Sequence, residues 1–336
     1  MKTTGMVLGK FYPPHKGHEF LLRFAQRYCD ELFIIVGSLK SESISGARRV
    51  AWLEAMFPES TVLHLEKELP QKPEEDPRFW EIWKAALGEV LPCSPDLVFT
   101  TENYGAALAK HLDAKWIAPD RNRKTVDISA TKIREDPVQY WSYLNTIVRP
   151  YFRKKIVICG PESAGKTTLT KQLGIHYCAS ESAIFENTVR EFARHYLEKK
   201  STSIAFSDME IIARGQEAAI EALAFDAGPF LFCDTDSRAT RLWSHALFGK
   251  SNSHIDRIAD RARADLYLLC RPDIAYEPDP IRYLPGQRQA FFDATKTDLQ
   301  GMHVVEIFGD FSQRFEQACQ SVDALSQREF LSPGKG

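Results

Sequence analysis

The chain has 336 residues, 44% of them hydrophobic, and its 43 lysines and arginines nearly balance its 45 aspartates and glutamates, for a net charge of -2. This length and composition predict about two soluble globular domains. The near-neutral charge excludes the overall basic field that holds nucleic acid, so we expect no nucleic-acid partner.

Cysteine usage and apolar segments set the expected compartment. Seven cysteines are scattered without a C-x-x-C pair, which argues against a disulfide framework or a structural zinc site. The N-terminal segment lacks the continuous apolar stretch of a signal peptide, and no later stretch has the length of a membrane span. These features predict a cytoplasmic protein without a membrane partner. Only five residues precede the first predicted strand, too few for a helix-turn-helix module, so we expect no direct DNA binding.

Short β-rich runs alternate with helical patterns in the first half of the chain. The predicted strands are 6–11, 31–37, 61–65, 97–101 and 115–118, and helical spacing of apolar residues covers 18–29 and 48–56. This alternation predicts a parallel α/β sheet. A basic, proline-containing stretch at 149–155 precedes the next strand. We place the domain boundary there, which gives domains 1–150 and 151–330.

The second half repeats the alternation. Its predicted strands are 156–159, 230–233, 265–270 and 304–308, separated by long helical segments such as 208–225. The predicted fold class is therefore α/β, with two doubly wound parallel-sheet domains.

The segment GKFYPPHKGH at residues 9–18 places His15 and His18 around a glycine at the start of a predicted helix. Imidazoles and backbone N–H groups can converge there on a phosphate. The alternatives are a zinc pair, which would need further ligands that no nearby cluster supplies, or two surface histidines. Residues 127–134, DISATKIR, add Ser129 as a helix N-cap and Arg134 as a bidentate phosphate donor.

Residues 160–168, GPESAGKTT, follow an apolar strand and fit the P-loop pattern GxxxxGKT. In this motif backbone N–H groups wrap the phosphates, a lysine reaches the outer ones, and a hydroxyl holds Mg²⁺. The predicted ATP-binding residues are Gly160, Ser163, Ala164, Gly165, Lys166, Thr167 and Thr168. A second apolar strand ends at Asp234, as a Walker B element requires, so Thr167 and Asp234 are the predicted Mg²⁺ ligands.

Three further residues of the second half are candidates for phosphoryl transfer. Asp236 could accept the proton of an acceptor hydroxyl, although a surface aspartate fits the sequence nearly as well. Arg282 and Arg288 lie in a polar, proline-rich stretch. This pattern suits a mobile lid over the transferring phosphoryl group, with solvated loop arginines as the alternative.

The pair GKFYPPHKGH and ISATKIR resembles the HxGH and ISxTxxR motifs of the adenylyltransferase superfamily, which implies transfer of AMP from ATP. With the P-loop that follows, the motif order resembles the NadR-type bifunctional family, in which nicotinamide-mononucleotide adenylyltransferase is fused to ribosylnicotinamide kinase. The resemblance covers nearly the whole chain. It implies an HxGH nucleotidyltransferase Rossmann-like domain followed by a P-loop kinase domain. The implied cofactor is Mg²⁺, with ATP as co-substrate and nicotinamide mononucleotide, nicotinamide riboside and NAD as ligands.

The resemblance extends to further segments: 101–105, 117–121, 191–194, 234–236 and 279–282. It implies that ATP in the first domain contacts Gly9, Lys10, Phe11, Arg121, Ser129 and Thr131, and that Arg288 contacts ATP in the second. The implied substrate-binding residues are Tyr104, Glu191, Arg194 and Tyr276. Two positions depart from the family: Tyr276 stands where a tryptophan is expected to stack on the pyridine ring, and Pro280 where glycine is usual. The DNA-binding domain of family members that act as repressors has no counterpart, so no regulatory role on DNA is carried over.

These observations predict a bifunctional enzyme. His15, His18 and Arg134 would stabilise charge while the phosphate of nicotinamide mononucleotide attacks ATP, giving NAD and pyrophosphate. Lys166, Thr167, Asp234 and Arg282 would serve phosphorylation of nicotinamide riboside. The alternatives are a fused nucleotidyltransferase and nucleoside kinase with another acceptor, or a regulatory protein that senses NAD and ATP with weak turnover. No pattern specifies the oligomeric state, so a homo-oligomer stays open.

Overall fold

The computed structural model describes residues 2–120, 125–178, 187–200, 202–279 and 283–329. The chain divides into two compact units, Met1–Tyr151 and Phe152–Arg328, and each contains a five-stranded sheet. Within the described ranges, every helix is too short or too polar to span a bilayer.

The sheet of the first unit has the order β3-β2-β1-β4-β5, and all its adjacent strands are parallel. The strands are β1 (Thr4–Gly9), β2 (Glu31–Ser38), β3 (Thr61–Glu66), β4 (Leu97–Phe99) and β5 (Lys115–Ile117). The helices are α1 (Lys16–Tyr28), α2 (Gly46–Met56), α3 (Phe79–Val90), α4 (Gly105–His111), α5 (Ala130–Glu135) and α6 (Arg149–Phe152), with 3₁₀ turns at Pro73–Glu75 and Trp141–Tyr143.

The first sheet is buried on both faces, which explains its continuous apolar runs. Residues 32–36 of β2 are all buried, as expected when helices cover both faces of a parallel sheet. Neighbouring side chains of β1 alternate between faces: Met6 packs in one core cluster and Val7 in the other. The strand order reverses at β1, with β2 on one side and β4 on the other. Such a reversal opens a crevice at the carboxyl ends of the strands.

The sheet of the second unit has the order β10-β9-β6-β8-β7, again with parallel neighbours. The strands are β6 (Lys154–Cys159), β7 (Thr188–Val189), β8 (Phe230–Asp234), β9 (Leu266–Cys270) and β10 (Val304–Ile307). The helices are α7 (Lys166–His176), α8 (Phe192–Glu198), α9 (Phe206–Ala224), α10 (Ser237–Phe248), α11 (Ser253–Arg261), α12 (Arg288–Asp298) and α13 (Phe311–Glu329), with a 3₁₀ turn at Pro285–Gln287. The central strand β6 lies between β8 and β9, so the carboxyl ends of these three strands meet at one edge of the sheet.

The predicted α/β fold with two parallel sheets is confirmed. The first strand ends at Gly9, earlier than the predicted limit at residue 11, because Phe11 has a φ of 47° and leaves the extended conformation. Strand β7 was not predicted, since two residues carry too little periodic pattern to be recognised.

Candidate active sites

The first site begins with the turn between β1 and α1. Gly9 ends the strand, and the left-handed Phe11 folds its ring back over it, so that a Cβ at position 9 would lie 3.1 Å from the ring. The Phe11 side chain is only 1% exposed and makes an edge contact with the His18 ring, with 5.0 Å between centroids. Position 9 therefore has little room for a side chain, and its backbone is accessible beside the first turn of α1.

His15 and His18 form a stacked pair at the N-terminus of α1. Their ring centroids are 3.8 Å apart, with 28° between the planes. His15 is the N-cap: its Nδ1 accepts hydrogen bonds from the N–H groups of Gly17 and His18, at 3.1 and 3.4 Å. A neutral His15 ring therefore carries its proton on Nε2. The pair combines N–H donors with the positive end of a helix dipole, an arrangement that binds phosphate.

Arg134 reaches the same loop from α5. Ser129 caps this helix through a 3.3 Å hydrogen bond from the N–H of Lys132 to its Oγ. The guanidinium of Arg134 donates to the carbonyl oxygen of Tyr12 and, at 3.2 Å, to Oγ1 of Thr131. The predicted ATP ligands Ser129 and Thr131 thus have hydroxyl groups engaged in capping α5 and in holding Arg134.

A cavity of about 250 Å³ lies beside the turn between β1 and α1 and the first turn of α1. Of the predicted site residues, it brings together Gly9, Lys10, Phe11, His15, His18 and Tyr104. Among the described residues, Ser129, Thr131 and Arg134 are not part of its lining. Arg121 lies outside the described residues.

A second cavity of about 250 Å³ shares Leu8, Gly9, Lys10 and Tyr104 with the first. Its distinguishing residues are the aromatic side chains Phe79, Trp80 and Trp83. The indole of Trp83 is fixed by a 2.9 Å hydrogen bond from Nε1 to the carbonyl oxygen of Pro70. This apolar, aromatic wall suits a planar ring. The sequence analysis missed it, although the run FWEIW at the start of α3 is a recognisable aromatic cluster.

The second site is the P-loop between β6 and α7. Gly160 and Gly165 have φ angles of 131° and 78°, in the left-handed region that favours glycine. A Cβ on Gly160 would also lie 2.6 Å from the carbonyl oxygen of Cys270 at the end of β9. The backbone turn therefore requires both glycines, and the neighbouring strand requires Gly160 as well.

Lys166 and Thr167 open helix α7 and face the loop and β8, respectively. Nζ of Lys166 donates to the carbonyl oxygen of Pro161 at 2.8 Å, so the ammonium lies across the loop. Oγ1 of Thr167 donates to Oδ2 of Asp234 at 2.5 Å. The other carboxylate oxygen, Oδ1, is buried and has no hydrogen-bond partner among the described residues. A hydroxyl beside a carboxylate oxygen fits the P-loop arrangement for Mg²⁺, in which phosphates and water complete the coordination.

Burial and, to a smaller extent, the negative charge of Glu191 raise the pKa of Asp234 to about 6, while Lys166 acts in the opposite sense. Glu191 follows β7 and is the N-cap of α8. The two carboxyl groups are thus close enough to interact, which is a frequent property of catalytic sites.

Asp236 occupies a different position from the one expected of a base. It is the N-cap of α10, where its carboxylate accepts from the N–H of Arg238 at 3.0 Å and from the hydroxyl of Tyr267 at 3.1 Å. Burial raises its pKa to about 6, with a further contribution from Glu217. The side chain is 2% exposed, and within the described part of the chain it does not line the adjoining cavity. This placement favours a helix-capping role for Asp236, and its role as proton acceptor stays a prediction.

A cavity of about 300 Å³ adjoins the P-loop. Of the predicted residues, it brings together Ser163, Ala164, Gly165, Lys166, Thr167, Thr168, Glu191 and Arg194. Its apolar wall contains Leu197, Met209, Ile212, Trp243 and Leu247. Tyr276 is not part of the described lining, whereas Trp243, which the sequence analysis missed, supplies an aromatic ring. Arg282 and Pro280 lie outside the described residues.

Two arginines hold the carbonyl side of the P-loop. Arg288 donates to the carbonyl oxygens of Glu162 and Ser163 at 3.1 and 2.9 Å, so its guanidinium binds the loop backbone. Arg314, 2% exposed, donates to the carbonyl oxygen of Ala164 at 3.0 Å. Because both fix the peptide units of the loop, they orient the N–H groups that bind phosphate in this motif. Arg288 was predicted to contact ATP, and Arg314 was not predicted.

The fold and the two sites define a class of protein: an α/β chain with an HxGH-type nucleotidyltransferase unit and a P-loop kinase-type unit. The model of an AAA domain family, AAA_28, matches residues 155–314. The trifunctional NAD biosynthesis/regulator protein NadR of Escherichia coli (strain K12) is 28% identical over 84% of this chain and 72% of its own length. The same-named protein of Salmonella typhimurium (strain LT2) is 27% identical over 96% of this chain and 83% of its own. The chain is homologous to these NadR proteins.

The fold agrees with a solved NadR structure. The crystal structure of NadR protein in complex with NR superposes with a TM-score of 0.70 and 22% sequence identity, covering 97% of this chain and 96% of that one. At this identity the likeness establishes the shared fold.

Proposed function

We propose that the chain catalyses two consecutive steps of NAD biosynthesis and salvage. The second unit phosphorylates nicotinamide riboside with ATP, and the first unit transfers AMP from ATP to the resulting nicotinamide mononucleotide. The observation that carries the proposal is the presence, in one NadR homologue, of the His15–His18 stack at a helix N-terminus and the Thr167–Asp234 pair at a P-loop. The cytoplasmic location and the lack of a nucleic-acid partner remain predictions, and the oligomeric state stays open.

In the first unit, a phosphate oxygen of nicotinamide mononucleotide attacks the α-phosphorus of ATP. A new P–O bond forms, the bond to the bridging oxygen breaks, and pyrophosphate leaves with the electron pair. His15, His18 and Arg134 would donate hydrogen bonds to the phosphates as charge shifts, so catalysis rests on positioning and electrostatics. The bare backbone at Gly9 lets phosphate approach closely. Trp80 and Trp83 offer aromatic faces for a cationic pyridine ring.

In the second unit, the 5′-hydroxyl of nicotinamide riboside attacks the γ-phosphorus of ATP, the bond to the β–γ bridging oxygen breaks, and ADP leaves with the electron pair. Lys166 would contact the outer phosphates, while Thr167 and Asp234 would hold Mg²⁺, which neutralises phosphate charge when bound. We assign the proton acceptor to Glu191, because it lines the cavity and its charge acts on Asp234. Trp243, in the apolar wall, would contact the pyridine ring.

The proposal is tested with purified full-length protein, Mg²⁺, ATP and nicotinamide riboside, by following ADP, pyrophosphate, nicotinamide mononucleotide and NAD together by chromatography. We expect NAD to appear with both ADP and pyrophosphate. ADP without pyrophosphate would remove the adenylyl-transfer step, and pyrophosphate formed only from added mononucleotide would remove the kinase step. If neither coproduct forms, the acceptor is a different one or the protein is a sensor, and both steps are refuted.

A further inference from the structure

Tyr12 connects the loop that carries the two histidines to Arg134. The guanidinium of Arg134 lies over the Tyr12 ring, 4.2 Å from its centroid, and that of Arg49 lies over the same ring at 5.1 Å. We propose that Tyr12 is a positioning residue for adenylyl transfer, which holds the guanidinium of Arg134 in the orientation that receives phosphate charge. The inference rests on the function proposed for the first unit.

Arg134 makes two kinds of contact with Tyr12, a hydrogen bond to its backbone and a cation–π contact with its ring. One terminal nitrogen donates to the carbonyl oxygen of Tyr12, while the flat face of the guanidinium rests on the ring. The other terminal nitrogen donates to Thr131 on the same helix as Arg134. A guanidinium has five N–H groups, so these two bonds orient it without exhausting its capacity to bind a phosphate.

The Tyr12 ring is itself fixed at its far end. Its hydroxyl forms a 2.5 Å hydrogen bond with Oγ of Ser43 and accepts another from the Ser43 N–H at 2.9 Å. Both contacts tie the ring to the loop between β2 and α2. A ring with an anchored hydroxyl cannot swing away from Arg134 without breaking these bonds.

Arg49 makes the second contact of the ring rigid. It is fully buried, and it donates to the carbonyl oxygen of Lys10 at 2.8 Å and to Oε2 of Glu42 at 2.6 Å. Burial raises the pKa of Glu42, but the N–H of Leu39 and the guanidinium of Arg49 outweigh it and hold the pKa below its ordinary value. An ionised Glu42 balances the buried cation, so the Tyr12 ring rests on a neutralised and immobile pair.

The chemical reason for such an anchor is the length of the arginine side chain. A guanidinium that must meet charge developing in a transition state contributes most when it is already in place, because reorganisation then adds nothing to the barrier. An unsupported arginine samples many rotamers and loses this advantage. A merely structural tyrosine would instead affect the stability of the unit without acting through Arg134.

The test compares Tyr12→Leu and Tyr12→Phe in the full-length protein, with ATP and nicotinamide mononucleotide as substrates. We expect Tyr12→Leu to lower kcat of adenylyl transfer roughly tenfold to a hundredfold, as displacement of a positioned group does. KM for the mononucleotide should change by less than about threefold, since the lost interaction acts mainly in the transition state. Tyr12→Phe keeps the ring but loses the hydroxyl bonds to Ser43, so its kcat should lie between that of Tyr12→Leu and that of the unmodified protein.

The double variant Tyr12→Leu/Arg134→Ala separates positioning from general structure. If Tyr12 acts through Arg134, the double variant should be no slower than Arg134→Ala alone, because the two losses are not additive. Losses that multiply would overturn the inference. Tyr151→Leu is a matched control, because the guanidinium of Arg48 lies over the Tyr151 ring, 5.2 Å from its centroid. The kcat of adenylyl transfer in Tyr151→Leu should match that of the unmodified protein.

Circular dichroism and thermal unfolding of each preparation report whether the first unit has folded, because kinase activity reports only on the second unit. If Tyr12→Leu does not yield folded protein, Tyr12→Met provides a second non-aromatic side chain, which is longer and unbranched. An unmodified protein without adenylyl transfer would refute the proposed function and this inference together. An active protein in which the non-aromatic variants retain the full kcat would refute this inference alone.

Discussion

Oγ1 of Thr167 and Oδ2 of Asp234 share a 2.5 Å hydrogen bond that joins the first turn of α7 to the end of β8. The residues are far apart in sequence, and the parallel sheet brings them together because β6 and β8 are neighbours. The bond therefore fixes the position of the phosphate-binding loop relative to the strand that contains Asp234. It places both predicted Mg²⁺ ligands side by side.

Asp234→Asn should eliminate kinase activity and spare adenylyl transfer. An asparagine can still accept the hydrogen bond from Thr167, so the fold is kept while the charge that attracts Mg²⁺ is lost. We expect kcat for nicotinamide riboside to fall at least about a hundredfold, measured by ADP release. NAD formation from nicotinamide mononucleotide in the same preparation is the control.

The complementary variant is His18→Ala, which should lose NAD formation and keep ADP release. Equal loss of both activities in either variant would contradict separate sites.

Asp236→Asn should keep kinase kcat within about threefold of the unmodified protein, because the asparagine oxygen can still accept from the N–H of Arg238 while its NH₂ group donates to the Tyr267 hydroxyl. A residue that removed the substrate proton would instead lose about a hundredfold or more on this change. The measurement is kcat for nicotinamide riboside, with Asp234→Asn as the inactive reference. A large loss in Asp236→Asn would restore it as the base.

The same variant gives a prediction for stability as a function of pH. The pKa of Asp236 is raised from 3.8 to about 6 in the folded chain, so between these values the folded state binds a proton that the unfolded state has released. Stability therefore falls as pH rises through this window. Relative to Asp236→Asn, the unmodified protein should lose stability from about pH 4 to pH 6, measured by denaturant unfolding at several pH values. A constant difference between the two proteins across the window would contradict the raised pKa.

Glu191→Gln should lower kinase kcat by about a hundredfold to ten-thousandfold, the usual contribution of a positioned proton acceptor. The amide keeps the size of the side chain, so KM for ATP should change little. The measurement is steady-state ADP release with nicotinamide riboside, with Glu198→Gln, on the same helix α8, as the matched control. An unchanged kcat in Glu191→Gln would exclude it as the proton acceptor.

Trp83→Ala and Trp243→Ala should act on different substrates. Loss of the Trp83 indole removes an aromatic wall of the first unit and should raise KM for nicotinamide mononucleotide in adenylyl transfer roughly tenfold. Loss of the Trp243 indole should do the same to KM for nicotinamide riboside in the kinase reaction. Each variant is the control for the other, and Tyr276→Ala should change neither KM. A raised KM in Tyr276→Ala would return that residue to the substrate site.

The sequence allowed the fold and the centre of each site to be predicted for a local reason. In each site a strand, a glycine-containing turn and a helix N-terminus follow one another in the chain. The geometry of residues 9–18 and 160–168 can therefore be predicted from the local sequence. Arg314 could not be found in this way, because its partner Ala164 is brought to it only by the packing of α13. Trp243 and Trp83 were missed because an aromatic residue on a helix has the same pattern whether it faces a core or a cavity.

Asp236 shows how contacts distant in sequence decide the position of a candidate residue. Two residues beyond a Walker B carboxylate it had a suggestive position, but the start of α10 and the hydroxyl of Tyr267 decide where its side chain lies. Neither the onset of that helix nor the contact with β9 can be read from the local sequence.

Leu8, Gly9, Lys10 and Tyr104 line both cavities of the first unit, and this common wall has a consequence for the end of the reaction. When the adenylyl group and nicotinamide mononucleotide are joined across this wall, the two ligands become one dinucleotide. The dinucleotide is then bound through both of its halves at once. Either half that detaches is held near its cavity by the other and rebinds readily, as in a chelate. We expect the dinucleotide to leave slowly, so that its departure, and not the phosphorus chemistry, limits the turnover of the first unit.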